Sequence, residues 1–179
     1  MKRLSHKYLL LVWLGLSILT SAVYAQDAQR DQPVTIEADR VDVDDAKGIS
    51  VYRGNVILRQ GAMTLWADEL HLQTTAQREL SSVKAVGKPA KFKQDESAEA
   101  GELRGHAMQI TYDVTTEYML FSGEAYFWQC GDEMSGDEVE YHGQQALVKA
   151  RKVEGGQGRV QVTLQPRENG QHTSPACQK

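Results

Sequence analysis

The sequence predicts an all-β fold, a curled sheet or jelly roll of about sixteen short antiparallel strands arranged in four repeats. Three observations predict it. Apolar and polar residues alternate with a period of two, and β-branched and aromatic residues (Val51, Val56, Ile57, Phe92, Tyr112, Phe121, Phe127, Val160, Val162) populate the alternating runs. In addition, one strand-corner-strand pattern occurs four times. No segment after residue 25 carries a helical period.

The first 25 residues read as an address. Lys2, Arg3 and Lys7 precede an apolar run at residues 9–19, and Val23-Tyr24-Ala25 forms a small-x-small cleavage site. The folded chain is therefore expected to begin near Gln26, outside the cytoplasm. An uncleaved membrane anchor is the alternative, because residues 8–25 approach the roughly 20 apolar residues that span a bilayer. Ser17, Thr20 and Ser21 argue against it, and no cysteine follows Ala25 to carry a lipid anchor.

The whole chain has 20 basic and 24 acidic residues, a formal charge of −4. Cleavage removes three basic residues and no acid, leaving 17 against 24, or −7. A nucleic-acid partner calls for the opposite sign. Phosphate contacts, if any, must rest on local lysines and arginines. The remaining length fits one domain over residues 26–165, followed by a polar tail at 166–179 expected to be disordered. Both cysteines, Cys130 and Cys177, follow the cleavage site, so a bridge is permitted; pairing within the chain, pairing between chains and two free thiols all stay open.

The repeat is legible at Glu37-Ala38-Asp39-Arg40-Val41-Asp42-Val43, Trp66-Ala67-Asp68-Glu69-Leu70-His71-Leu72, Arg104-Gly105-His106-Ala107-Met108-Gln109-Ile110 and Ser135-Gly136-Asp137-Glu138-Val139-Glu140-Tyr141. Each copy has a small residue, then Asp or His, then apolar residues alternating with polar ones. A glycine follows 15 to 19 residues later, at Gly54, Gly87, Gly123 and Gly155. The parity of the apolar positions changes at each Asp or His: Val34 and Ile36 are even but Val41 and Val43 odd, Met63 and Leu65 odd but Leu70 and Leu72 even, Leu103 odd but Met108, Ile110 and Tyr112 even. A one-residue slip would turn the apolar face to solvent unless the chain bulges or turns there. The Asp residues are thus read as corner-makers. A second switch is expected at Gly54 and Gly87, while alternation runs on both faces around Gly123 and Gly155.

No motif for phosphate cradling, nucleophilic hydrolysis or zinc catalysis is present. Gly155-Gly156-Gln157-Gly158 opens no helix and reads as a hairpin turn. Histidines 71, 106, 142 and 172 lack ligand spacing, and the acids at 42, 44, 45, 132 and 133 lack the offsets of a calcium loop. Glu37, Asp39 and Asp42 are the strongest candidate acid-base cluster. Retaining glycoside hydrolysis needs two carboxyls about 5 Å apart, and the expected face switch separates Asp42 from Glu37. The expectation is a protein that is not an enzyme and takes no cofactor and no metal.

Five blocks, in order behind the leader, carry a resemblance: 31–39 (DQPVTIEAD), 52–56 (YRGNV), 87–92 (GKPAKF), 105–107 (GHA) and 122–126 (SGEAY). From about residue 31 to 166 the chain resembles the periplasmic lipopolysaccharide-export bridge family, the LptA/OstA family. The resemblance implies an open, twisted jelly roll in the periplasm that shields lipid A acyl chains in an apolar groove. It also implies self-association head to tail into a bridge, fed by an anchored inner-membrane component at the N-terminal edge and emptied by an outer-membrane translocon at the C-terminal edge. The alternatives are a membrane-anchored inner-membrane member of the same superfamily and a lipocalin-like chaperone for another lipid.

Matching blocks place Val34, Ile36, Phe92, Tyr112 and Val114 in the groove, and the alternating residues Val56, Leu58, Met108, Ile110 and Phe121 complete the expected lining. The joining edges are expected at a first strand carrying Val34, Ile36 and Val41 and at a last strand carrying Val160, Val162 and Leu164. Neither strand is blocked by an internal proline or an inward charge.

Overall fold

The structure is a computed structural model that describes residues 32–95, 101–156 and 158–166. The expected leader, Cys177 and nearly all of the expected tail lie outside the described residues. Among the described residues ten strands form: β1 (Thr35–Glu37), β2 (Arg40–Asp44), β3 (Ile49–Gln60), β4 (Met63–Thr74), β5 (Leu80–Gln94), β6 (Leu103–Asp113), β7 (Tyr118–Gln129), β8 (Asp132–His142), β9 (Leu147–Arg151) and β10 (Gln161–Thr163). The only described helical residues are a 3-10 turn at Gly143–Gln145. All pairings are antiparallel, and the sheet runs β1-β3-β4-β5-β6-β7-β8-β10, with β2 also on β3 and β9 also on β8.

The count of ten corrects the expected sixteen. Six long strands, β3 to β8, pass through a corner without interruption, so what reads as two short strands is one bent strand. The corners line up across the sheet as bulges. Gly54 and Asn55 face the single residue Asp68, Gly87 to Pro89 face Met108, and Gly123 and Glu124 face Asp137. Gly54 and Asn55 both have positive φ (79° and 48°), as do Gly123 and Glu124 (79° and 51°), a conformation glycine reaches without steric penalty.

These bulges also correct the parity rule. The inward face changes parity at Asp68 (Leu65, then Leu70), at Met108 (Ala107, then Ile110) and across Gly87 to Pro89 (Ala85, then Ala90). It does not change at Gly54, where Tyr52 and Val56 both pack inward, nor at Gly123, where Phe121 and Ala125 do. One inserted residue flips alternation, and two restore it. The third corner also lies two residues past its expected position: His106 remains in the ladder on the outer face, its ring stacked on Tyr126 at 5.0 Å.

Bending divides the sheet into two limbs of eight segments each. The first limb contains β1, the corner-to-loop halves 56–60, 63–67, 90–94, 103–107, 125–129 and 132–136, and β10. The second contains β2, the halves 49–53, 69–74, 80–86, 109–113, 118–122 and 138–142, and β9. Their inner faces meet. Phe121 and Phe127 lie six residues apart on β7, which would separate them by about 20 Å on a straight strand, yet their ring centroids are 5.8 Å apart. Phe92 packs edge-on to Phe121 at 6.4 Å, and Tyr141 stacks on Phe127 at 5.4 Å. Aromatic residues from alternate limbs therefore interlock at the β5 to β8 end, adding to the area they bury.

Each end of the sheet is split between the limbs. Residues 34–43 were expected to supply one edge strand but give two, β1 and β2, broken at Asp39. At the other end, β10 spans only Gln161–Thr163, so Val160 and Leu164 flank the strand, and β9 is a second edge that the sequence reading did not single out. Cys130, in the turn between β7 and β8, is disulfide-bonded, which removes the free-thiol alternative there.

Candidate functional site

An apolar cleft, partly open to solvent, lies between the limbs. Leu58, Met63, Leu65 and Phe92 line it from the first limb, and Val83, Ile110, Tyr112 and Met119 from the second. It exists because each limb presents alternate residues inward and because the corner bulges correct the register, so that both halves of every strand keep an apolar inner face. Chemically the cleft offers dispersion contacts and exclusion of water. Its lining brings no acid, base or nucleophile together.

Phe92, Ile110, Tyr112 and Leu58, all named from sequence, line this cleft. Val56 and Phe121 are buried in the core outside the cleft lining. Ile36 packs against the core from β1, whereas Val34 precedes β1 and is exposed, and Val114 is half-buried beyond the end of β6. Met108 is a correction: as the single residue opposite the three β5 residues Gly87 to Pro89 it leaves the inner face, lies against Gly123 and is exposed. Met63, Leu65, Val83 and Met119 were not assigned to the site. Parity was the available signal, since Met119 alternates with Phe121, and Val83 with Ala85.

Beside the cleft, Tyr112, Met119 and Tyr141 stand in register on β6, β7 and β8. Burial pushes the Tyr141 hydroxyl above its ordinary value, with Tyr112 adding to the shift, so this group stays neutral and compatible with an apolar guest. Glu37, Asp39 and Asp42 each have a partner of their own. Glu37 accepts from Arg59 (2.5 Å), Asp39 from the Asn55 amide (2.9 Å) and Asp42 from Arg53 (2.6 Å). Asp137 likewise accepts the Val153 amide at 3.0 Å. Among the described residues no group of three or more His, Cys, Asp or Glu could hold a metal, and no helix is long and apolar enough to cross a membrane.

The inner face remains apolar out to both ends of the sheet. Val41 and Val43 on β2 pair with Tyr52 and Ser50, and Val162 on β10 pairs with Met134; all three valines are exposed, Val41 at 47% and Val162 at 48%. Val148 and Ala150 on β9 continue the same face and pack against the core.

Comparison with known proteins identifies relatives. The lipopolysaccharide export system protein LptH of Pseudomonas aeruginosa is 28% identical over 157 residues, covering 85% of this chain and 90% of that protein. The corresponding LptA of Escherichia coli K12 is 29% identical over 157 residues, covering 86% and 82%. The crystal structure of LptH, described as the LptA-homologous periplasmic component of the lipopolysaccharide transport device of P. aeruginosa, superimposes with a TM-score of 0.69 at 29% identity, over 77% of this chain and 99% of that one. The model of the LptA/(LptD N-terminal domain) LPS transport protein family matches residues 35–146. With its open, all-antiparallel sheet and more than half its length inside that match, the chain belongs to the LptA/LptD N-terminal domain family of lipopolysaccharide transport proteins.

Proposed function

We propose that this protein is a periplasmic carrier, not an enzyme, that shields the acyl chains of lipid A between its two limbs and joins head to tail into a bridge between the inner and outer membranes. The observation that carries the reading is the cleft lined by four apolar residues from each limb. Each methylene taken from water contributes about 0.8 kcal/mol, so an acyl chain seated there gains several kcal/mol from leaving water. The proposed contacts are Leu58, Phe92, Ile110 and Tyr112, with Ile36, Val34, Val56, Val114 and Phe121 extending or backing them.

Head-to-tail joining is supported by the ends of the sheet. Each limb has eight antiparallel segments, so its first and last strands run in opposite directions. A second copy placed end to end would add β1 beside β10 and β2 beside β9, antiparallel in both limbs, and would cover Val41, Val43 and Val162. Such a contact is heterologous and repeats instead of closing. In this reading an anchored inner-membrane component docks at β1 and β2, and an outer-membrane translocon at β9 and β10.

A photo-crosslinking residue in place of Phe92 should capture lipopolysaccharide in the periplasm, while one at Lys84, on the outer face of β5, should not. Equal capture at both positions would overturn the interior site.

A further inference from the structure

A negatively charged chain that carries a phosphorylated glycolipid needs local cations wherever it meets phosphate, and the structure gathers them on one surface. On the outer face of the first limb, Trp66, Lys91, His106 and Tyr126 stand side by side on β4, β5, β6 and β7. In the next row outward, toward the open side, are Lys93, Arg104 and Trp128. The Arg104 guanidinium lies 4.1 Å over the Trp128 ring, and the His106 and Tyr126 rings are stacked. Both described tryptophans are on this face, and Trp66 is exposed.

The two outer faces differ in charge. Register places four basic residues on the first limb (Arg59, Lys91, Lys93, Arg104) against Glu37 and Glu133, with Asp95 and Glu102 at its rim, and Arg59 is paired with Glu37. The outer face of the second limb has five basic residues against six acidic ones and no tryptophan. There Arg53 is committed to Asp42 and Glu69, and Arg151 to Glu138 and Glu140. On the first limb Lys93 and Arg104 meet only carboxylates at the rim of the β5 to β6 loop, Asp95 and Glu102, and Lys91 is exposed without a carboxylate partner among the described residues.

We propose that this face binds the phosphorylated saccharide of the glycolipid whose acyl chains occupy the cleft. The proposal rests on the carrier reading above and adds a second contact to it. Flat aromatic rings present a negative face to the C–H groups of a sugar ring, and Lys and Arg supply charge-assisted hydrogen bonds to phosphate. Position agrees with chemistry. Lys93 and Arg104 neighbour Phe92 and Leu103, which face inward, so a headgroup leaving the open side of the cleft meets Lys93, Arg104 and Trp128 first and Lys91 and Trp66 next.

The test uses acyl-free phosphorylated oligosaccharide prepared from lipopolysaccharide, the same oligosaccharide after phosphatase treatment, and phosphatidylglycerol vesicles. The expected result is a shift of the Trp66 and Trp128 indole N–H resonances with the phosphorylated sugar. Affinity should fall at least tenfold after dephosphorylation and at least tenfold in K91Q/K93Q/R104Q, whose fold and binding of a fluorescent fatty acid should be unchanged. Absence of the shifts, equal affinity for the dephosphorylated sugar, or binding confined to vesicles would overturn the proposal. Loss of fatty-acid binding by the wild-type protein with the sugar shifts intact would instead sink the cleft reading and leave this surface standing.

Discussion

The carboxylate of Asp39 occupies the space where a side chain at Gly54 would stand: a Cβ there would lie 2.2 Å from Asp39 Oδ2. The Asp39 amide donates to the Gly54 carbonyl at 3.0 Å, and the Asn55 side chain donates to the Asp39 carboxylate. The break between β1 and β2 is thus locked onto the bend of β3. Gly54→Ala meets both this clash and a φ of 79°, and should cost about 2–4 kcal/mol in chemical denaturation, strain alone supplying about 1–3. In a double-mutant cycle, Asp39→Ala should recover the steric part and leave the backbone part.

Closure of the limbs depends on a second close approach. A Cβ at Gly105, on the first limb, would come within 2.5 Å of the Phe121 ring from the second. Gly105→Ala should destabilise the fold by about 1–3 kcal/mol through overpacking, and Phe121→Leu should relieve part of that loss in the double variant. Phe121→Ala alone should cost about 3–5 kcal/mol. Additive losses in the Gly105 and Phe121 pair would refute the contact.

The proposed head-to-tail joining can be tested with inward charges at the two ends. Val41→Lys and Val162→Lys alter half-exposed positions and should change stability by less than about 0.5 kcal/mol. Each should raise the concentration for self-association by tenfold or more in sedimentation velocity, because a lysine on an exposed edge opposes strand addition. An equimolar mixture should form dimers and stop, joined through the one intact edge of each variant. Long oligomers in the mixture would rule out the heterologous joint.

His106 gives the fold a pH dependence of known sign. Burial holds its imidazole below the ordinary value of 6.5, Lys91 pushes it further down, and Glu124 opposes both. The unfolded chain therefore binds more protons near pH 6.5 than the folded one, so the stability tied to neutral His106 is present above that pH and is lost as the pH falls through it. An NMR titration should place its midpoint below 6.5, and His106→Gln should flatten the fall in stability between pH 7.5 and 5.5. A midpoint at or above 6.5 would contradict the buried stack on Tyr126.

Strand character, the line of corners and half of the cleft were legible in one dimension, because alternation and the Asp and Gly spacing are local properties. Leu58 and Ile110 could be named from alternation, and Phe92 and Tyr112 from the family pattern with alternation in support. Met108 could not be placed correctly: whether a bulge inserts one residue or two is decided by the partner strand, and Met108 falls where three residues of β5 oppose it. The same limit hid the continuity of the six long strands.

By itself, then, the sequence determined that this chain forms strands with one apolar face, turned at regular corners, and which family pattern it carries. Only the tertiary structure decided that the corners fold the sheet onto itself. The contact of Phe121 with Phe127, and the meeting of Leu58 and Ile110 at one cleft, depend on how many residues each bulge inserts. The split ends of the sheet and the cationic, tryptophan-bearing outer face were likewise settled there. Those features arise from cross-strand register, which brings together residues far apart in sequence and is set by the pairing of whole strands.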